Sequence, residues 1–125
     1  MEEREAHQIL DGEREDTRFR LASMRAEFDA IVTGSADANV DDEHDPEGST
    51  VAFERAQLAA LMAVADGYLA ELEDAALRLE AGGYGICEAC GGVISDDRLR
   101  ARPATRTCVL CTVSRKARRV GERPS

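Results

Sequence analysis

Four cysteines, Cys87, Cys90, Cys108 and Cys111, form two C-x2-C pairs with 17 residues between them. A two-residue gap lets both thiolates of one turn point at one metal, and two such turns complete a tetrahedron with Zn–S bonds of about 2.3 Å. The glycines Gly91 and Gly92 directly follow the first pair, where the chain must turn sharply and backbone amides can donate to sulfur. Four thiolates leave no open coordination position for a substrate or a water molecule, so one structural Zn2+ is expected and a Lewis-acid role is not. A redox C-x-x-C pair and an iron–sulfur site are the competing readings. The first lacks a βαβ pattern to carry it, and the second shares the ligand type.

Helices must position these ligands. Aromatic residues are 4% of the chain, Trp is absent, and a third of the residues are charged, a composition that disfavours a sandwich or barrel. From about Glu2 to Val32 the sequence favours helix, with Leu21, Met24, Phe28 and Ile31 forming one apolar stripe. Gly12 and the charged run Glu13-Arg14-Glu15-Asp16 predict fraying or a bend before Thr17. Thr33-Gly34-Ser35 reads as a stop, and Ala36 to Ser49 as a polar, acidic loop. Ser49 or Thr50 is the expected N-cap of a second helix, from Val51 to about Ala81. Along it Leu58, Met62, Ala65, Leu69, Leu72, Ala76 and Leu79 alternate in steps of four and three, a heptad seam.

Two helices with apolar seams and a polar connection predict an antiparallel coiled-coil hairpin, since neither buries its stripe alone. The second helix would run on the order of 45 Å. The expected organisation is a hairpin over 1–81 with its acidic tip loop at about 34–49, a four-cysteine zinc module with a C-terminal helix over 82–116, and a basic, flexible tail over 117–125. The fold class is mostly α. No stretch has the roughly 20 apolar residues of a membrane span, and the acidic N-terminus is unlike a signal peptide, so a cytoplasmic protein without membrane contact is expected. Thiols stay reduced there, which favours metal over disulfides.

The net charge of −9 conceals an asymmetry. Residues 1–81 hold 21 acids and 7 bases, net −14, and residues 82–125 hold 4 acids and 9 bases, net +5. The front part would be repelled by phosphate, and only the C-terminal end could meet a polyanion.

The segments Tyr84-Gly85-Ile86-Cys87-Glu88-Ala89-Cys90-Gly91, Arg98-Leu99-Arg100-Ala101-Arg102-Pro103 and Cys108-Val109-Leu110-Cys111 resemble the TraR/DksA family of bacterial transcription regulators, which carry Y-G-x-C-x-x-C-G, R-L-x-A-x-P and C-x-x-C at these separations. The resemblance implies a factor that binds RNA polymerase, inserts its coiled coil into the secondary channel and modulates initiation without reading DNA sequence. It further implies tip aspartates in a D-x-x-D-x-A motif. Asp42-Glu43-His44-Asp45-Pro46-Glu47 keeps both aspartates, Asp42 and Asp45, with Glu47 in place of Ala. A second register starting at Asp45 puts Gly48 at the second aspartate. Arg98 and Arg102 are candidate partner contacts at the base. The response of some longer relatives to guanosine tetraphosphate is not carried over, because Thr112 stands where they have a basic residue.

The chain is expected to be a monomer and not an enzyme, since no Ser/His/Asp set, phosphate loop or open metal site is present. His44 reads as an exposed loop residue. The alternative function is a zinc-ribbon adaptor or nucleic-acid binder that uses Arg98, Arg100, Arg102 and the tail arginines.

Overall fold

The computed structural model describes residues 1–38 and 46–121, with side chains over 1–34 and 50–115. Among these residues four helices follow in order, α1 (Glu3–Ala38), α2 (Pro46–Glu80), α3 (Asp96–Ala101) and α4 (Val109–Gly121). The described residues contain no strand, only an isolated antiparallel bridge between Ile86 and Val93, and no helix long and apolar enough to cross a membrane. The chain divides into two compact units, Met1–Glu13 with Glu71–Ser125, and Arg14–Ala70.

In the unit of Arg14–Ala70, α1 and α2 run antiparallel. Arg25 Nη2 pairs with Asp66 Oδ1 at 3.4 Å, Phe19 and Tyr68 line one groove, and Ile31 and Leu58 line the next. The expected stripes meet there. Leu21 is buried, and Met24, Phe28, Ile31, Leu58, Met62, Ala65 and Leu69 are half-buried. The coiled-coil hairpin predicted from two amphipathic patterns is therefore the fold.

In the other unit, Ala6 and Leu10 of α1 are buried, as are Leu72, Ala75 and Leu79 of α2. The bend expected before Thr17 does not occur, and α1 is continuous across Gly12. Glycine costs a helix about 1 kcal/mol, less than the roughly 1.5–3 kcal/mol that burying one large apolar side chain returns, and Leu10 on one side of Gly12 and Leu21 on the other are both buried.

Both inner helix ends lie beyond their expected positions. Gly34 does not take the left-handed conformation that ends a helix at glycine, and α1 continues to Ala38. Pro46, instead of a Ser49 or Thr50 cap, opens α2, because proline's fixed φ and missing N–H suit the first helical position. The connection is thereby shorter than the loop of 34–49 read from composition, and Asp42, His44 and Asp45 lie outside the described residues.

The end of α2 follows its signal. Gly82 has φ 84°, its N–H reaches Leu79 O at 3.2 Å, and Gly83 N–H reaches Arg78 O at 2.8 Å. This is a Schellman motif, in which a left-handed residue lets its own amide and the next one satisfy orphan carbonyls. It delivers the chain directly to the cysteines.

Candidate metal centre

A small core supports the finger. Cys87, Ile94 and Leu99 are buried, and Met1, Tyr84, Cys108 and Cys111 pack against them. Helix α3 brings Leu99 to this core. Its N-cap Ser95 accepts a hydrogen bond from Arg98 N–H at 3.2 Å, and Asp96 and Asp97 occupy the first turn, where carboxylates complement the helix dipole. The sequence reading missed α3, although Ser-Asp-Asp before an apolar residue is a start signal.

The first cysteine pair sits on a tight turn. Cys87 N–H donates to Gly92 O and Gly91 N–H to Cys87 O, both at 2.8 Å. Gly91 has φ 73°, a region open to glycine without strain. Gly92 N–H donates to Cys90 Sγ at 3.4 Å, the amide-to-sulfur contact expected beside the first pair, and a Cβ on Gly92 would come within 3.3 Å of that sulfur. The second pair straddles the start of α4: Cys108 immediately precedes the helix and Cys111 lies in its first turn.

All four Sγ atoms lie within 4.8 Å of one another, and Cys90 and Cys108 are 4.0 Å apart, sulfur to sulfur. A tetrahedral Zn2+ with 2.3 Å bonds needs S···S separations of about 3.8 Å, so the arrangement fits that ion. Within the cluster the thiols and nearby amides act on one another. The backbone amide of Cys108, assisted by those of Cys90 and Ala89 and opposed by burial, draws Cys87 down to about 6. Hydrogen bonds from Cys108 and Cys90, together with burial, push Cys111 up to about 12. Neighbouring thiolates repel, and a divalent cation is what allows all four to ionise. Bound there, zinc cross-links the turn of residues 87–92 to the first turn of α4, and its filled coordination sphere makes it a structural ion.

A hydrogen-bond network fixes the approach to Cys108. Arg98 Nε donates to Thr107 O at 2.8 Å, and its Nη2 donates to Thr112 Oγ1 at 2.8 Å and Thr105 Oγ1 at 3.2 Å. Thr112 Oγ1 in turn donates to Cys108 O at 3.0 Å. Tyr84, placed at the core, donates to Pro103 O at 2.9 Å. Arg106 pairs with Asp74 and with Glu88 Oε1 at 2.9 Å, tying the end of α2 to the first cysteine turn. Arg100 Nε pairs with Glu5 Oε1 at 2.9 Å. Arg102, at the α3 C-cap, is exposed. Of the two arginines expected at the base, Arg98 is engaged inside the module and Arg102 faces solvent. Thr105 and Thr107 were missed, because isolated hydroxyls carry no periodic signal, and Thr112 was noted only where relatives have a basic residue.

The basic tail of 117–125 was expected to be flexible, and α4 carries residues 117–121 as helix.

Residues 82–112 match the family described as the prokaryotic dksA/traR C4-type zinc finger. An uncharacterized protein of Aquifex aeolicus (strain VF5) is 49% identical over 43 residues, 34% of this chain and 30% of that protein, so the match spans under a third of the relative's length. The structure of transcription factor DksA2 from Pseudomonas aeruginosa aligns over 90% of this chain and 86% of its own, with a TM-score of 0.58 and 20% identity, a likeness of fold. Residues 82–112 thus match a dksA/traR-type finger, and the chain shares the fold of DksA2 along nearly its whole length.

Proposed function

We propose that this chain is an RNA polymerase-binding transcription regulator of the DksA type, acting in the cytoplasm. The hairpin enters the polymerase secondary channel, and Asp42 and Asp45 carry carboxylates toward the active-site region to modulate initiation. The observation that carries this reading is the closed four-sulfur centre in a chain whose two long helices pair antiparallel. A metal with no open position does no chemistry of its own, so function falls to what the helices present. The zinc then acts by fixing the base, and the protein is not an enzyme. Sequence-specific DNA recognition is not part of the function, since the hairpin region is strongly acidic.

The polar groups at the base set limits. Thr112 is held by Arg98 and Cys108, so neither side chain supports a response to guanosine tetraphosphate, and Arg102 is the better candidate contact. The alternative, a nucleic-acid binder, is weakened because Arg98 and Arg100 are occupied by internal partners.

Co-purification with core polymerase, followed by in vitro transcription with wild type and the Asp42→Asn/Asp45→Asn variant, tests the proposal. We expect binding by both proteins and a regulatory effect from wild type alone. Failure of the zinc-loaded protein to bind polymerase would falsify the reading, and equal effects of both proteins would remove the tip assignment.

A further inference from the structure

Helix α2 is more apolar than one hairpin seam requires. No charged residue lies between Arg55 and Asp66, and Leu61 and Val64 are 50% and 71% exposed. With Phe19, Met24, Ala65 and Tyr68, and with Ser23 and Arg20, whose Nη2 donates to Thr17 Oγ1 at 3.3 Å, they line a groove of about 460 Å3 along one side of the helix pair. A second groove of about 430 Å3 continues from the shared residue Leu61 and is lined by Glu27 and Glu54 beside Ile31 and Leu58. The surface is a channel, mostly apolar with Arg20 as its charged residue at the Tyr68 end and acidic at the Glu54 end.

The chain also carries a segment of the opposite character in the same order. Helix α4 opens with Val109, Leu110 and Val113, which are 51%, 82% and 60% exposed, and continues with Arg115, Lys116, Arg118 and Arg119. A basic amphipathic helix with its apolar residues in solvent is a docking element without its partner. The 13 residues of α4 are about 20 Å long, and the groove from Tyr68 to Glu54 along α2 is about 21 Å long.

We infer that α4 of one molecule docks in the α1/α2 groove of a second copy, with Leu110 and Val113 against Leu61 and Val64 and the basic residues beside Glu27 and Glu54. Order, length and charge select this occupant. The groove belongs to the region of net charge −14 and α4 to the region of net charge +5. An anionic membrane or a nucleic acid matches α4 but leaves the groove empty. One face of a helix this short buries area at the low end for specific interfaces, about 1,200 Å2 in total, so the association is reversible and concentration-dependent and replaces the monomer expected from sequence at high concentration. The inference does not rest on polymerase binding.

Sedimentation velocity of the full-length, zinc-loaded chain tests it. Wild type should gain mass with concentration, and added salt should weaken the association. Val64→Glu and Leu110→Glu alter exposed positions, so each should keep its zinc and helix content while self-association weakens by at least about tenfold. Mixing the two variants should restore a one-to-one complex, because the first retains an intact α4 and the second an intact groove. Wild type that stays monomeric at all concentrations overturns the inference. So does association that survives either substitution, or a mixture that fails to assemble.

Discussion

Arg98 and Thr107 are joined by a 2.8 Å hydrogen bond from Nε to the Thr107 carbonyl oxygen, which fixes the backbone one residue before the ligand Cys108. Hydrogen bonds from charged donors contribute on the order of 1.5–3 kcal/mol, and Arg98 also holds Thr105 and Thr112. Arg98→Ala should destabilise the finger by on the order of 2 kcal/mol and speed zinc loss to a chelator. Arg98→Lys should recover little, because a single ammonium cannot reproduce the planar fork. Unchanged zinc retention in Arg98→Ala, together with lost polymerase binding, would instead make Arg98 a partner contact.

Zinc removal should act locally. The finger core is three buried residues, Cys87, Ile94 and Leu99, too few to hold a fold without its metal. Helices α1 and α2 together hold most of the helical residues and bury their own seam. Chelation, or Cys87→Ser, should therefore cost a minority of the circular dichroism at 222 nm while exposing Tyr84 to quenchers. Collapse of the whole helical signal would mean that the metal holds the hairpin together as well.

Two glycine substitutions should have opposite signs. Gly82, at φ 84°, has open space around a would-be Cβ, so Gly82→Ala carries only the conformational cost of the left-handed region, about 1 kcal/mol destabilising. Gly12 also has open space but lies inside α1 without positive φ. Gly12→Ala should stabilise by about 0.5–1 kcal/mol. Thermal melts of the two variants against wild type read both signs directly.

The parts of this architecture that repeat were the parts legible in the sequence. The seam of α2 was read from Leu58 to Leu79, and every position in it is at least half-buried, because apolar residues at heptad spacing have only one way to leave water. The paired cysteines were legible for a similar reason, since spacing and ligand chemistry coincide. The first half of α1 was placed in a helix, but its continuity past Gly12 was not foreseen, because its buried face includes Ala6 and Thr17, one small and one polar, which no hydrophobic pattern marks. Arg98 was read as a surface contact because arginine usually is one. Its inward turn depends on three threonines brought together only by the fold. The start of α2 was misplaced by favouring Ser and Thr caps over Pro46 at the first helical position.

Tyr84 provides a pH readout of the joint between the end of α2 and the finger. Its phenol is half-buried and donates to Pro103 O at 2.9 Å, and burial, partly offset by Arg78, raises its pKa above the usual 10. The unfolded chain loses this proton at lower pH than the folded one, so the stabilising effect is complete below pH 10 and declines as pH rises through the folded value. With two tyrosines and no tryptophan in the chain, the titration can be followed by phenolate absorbance. Wild type should show a late-titrating tyrosine that Tyr84→Phe removes, and the variant should lose less stability between neutral pH and the alkaline limb. A late phase that persists in Tyr84→Phe would assign it to Tyr68 and leave the hydrogen bond to Pro103 without the coupling argued for it.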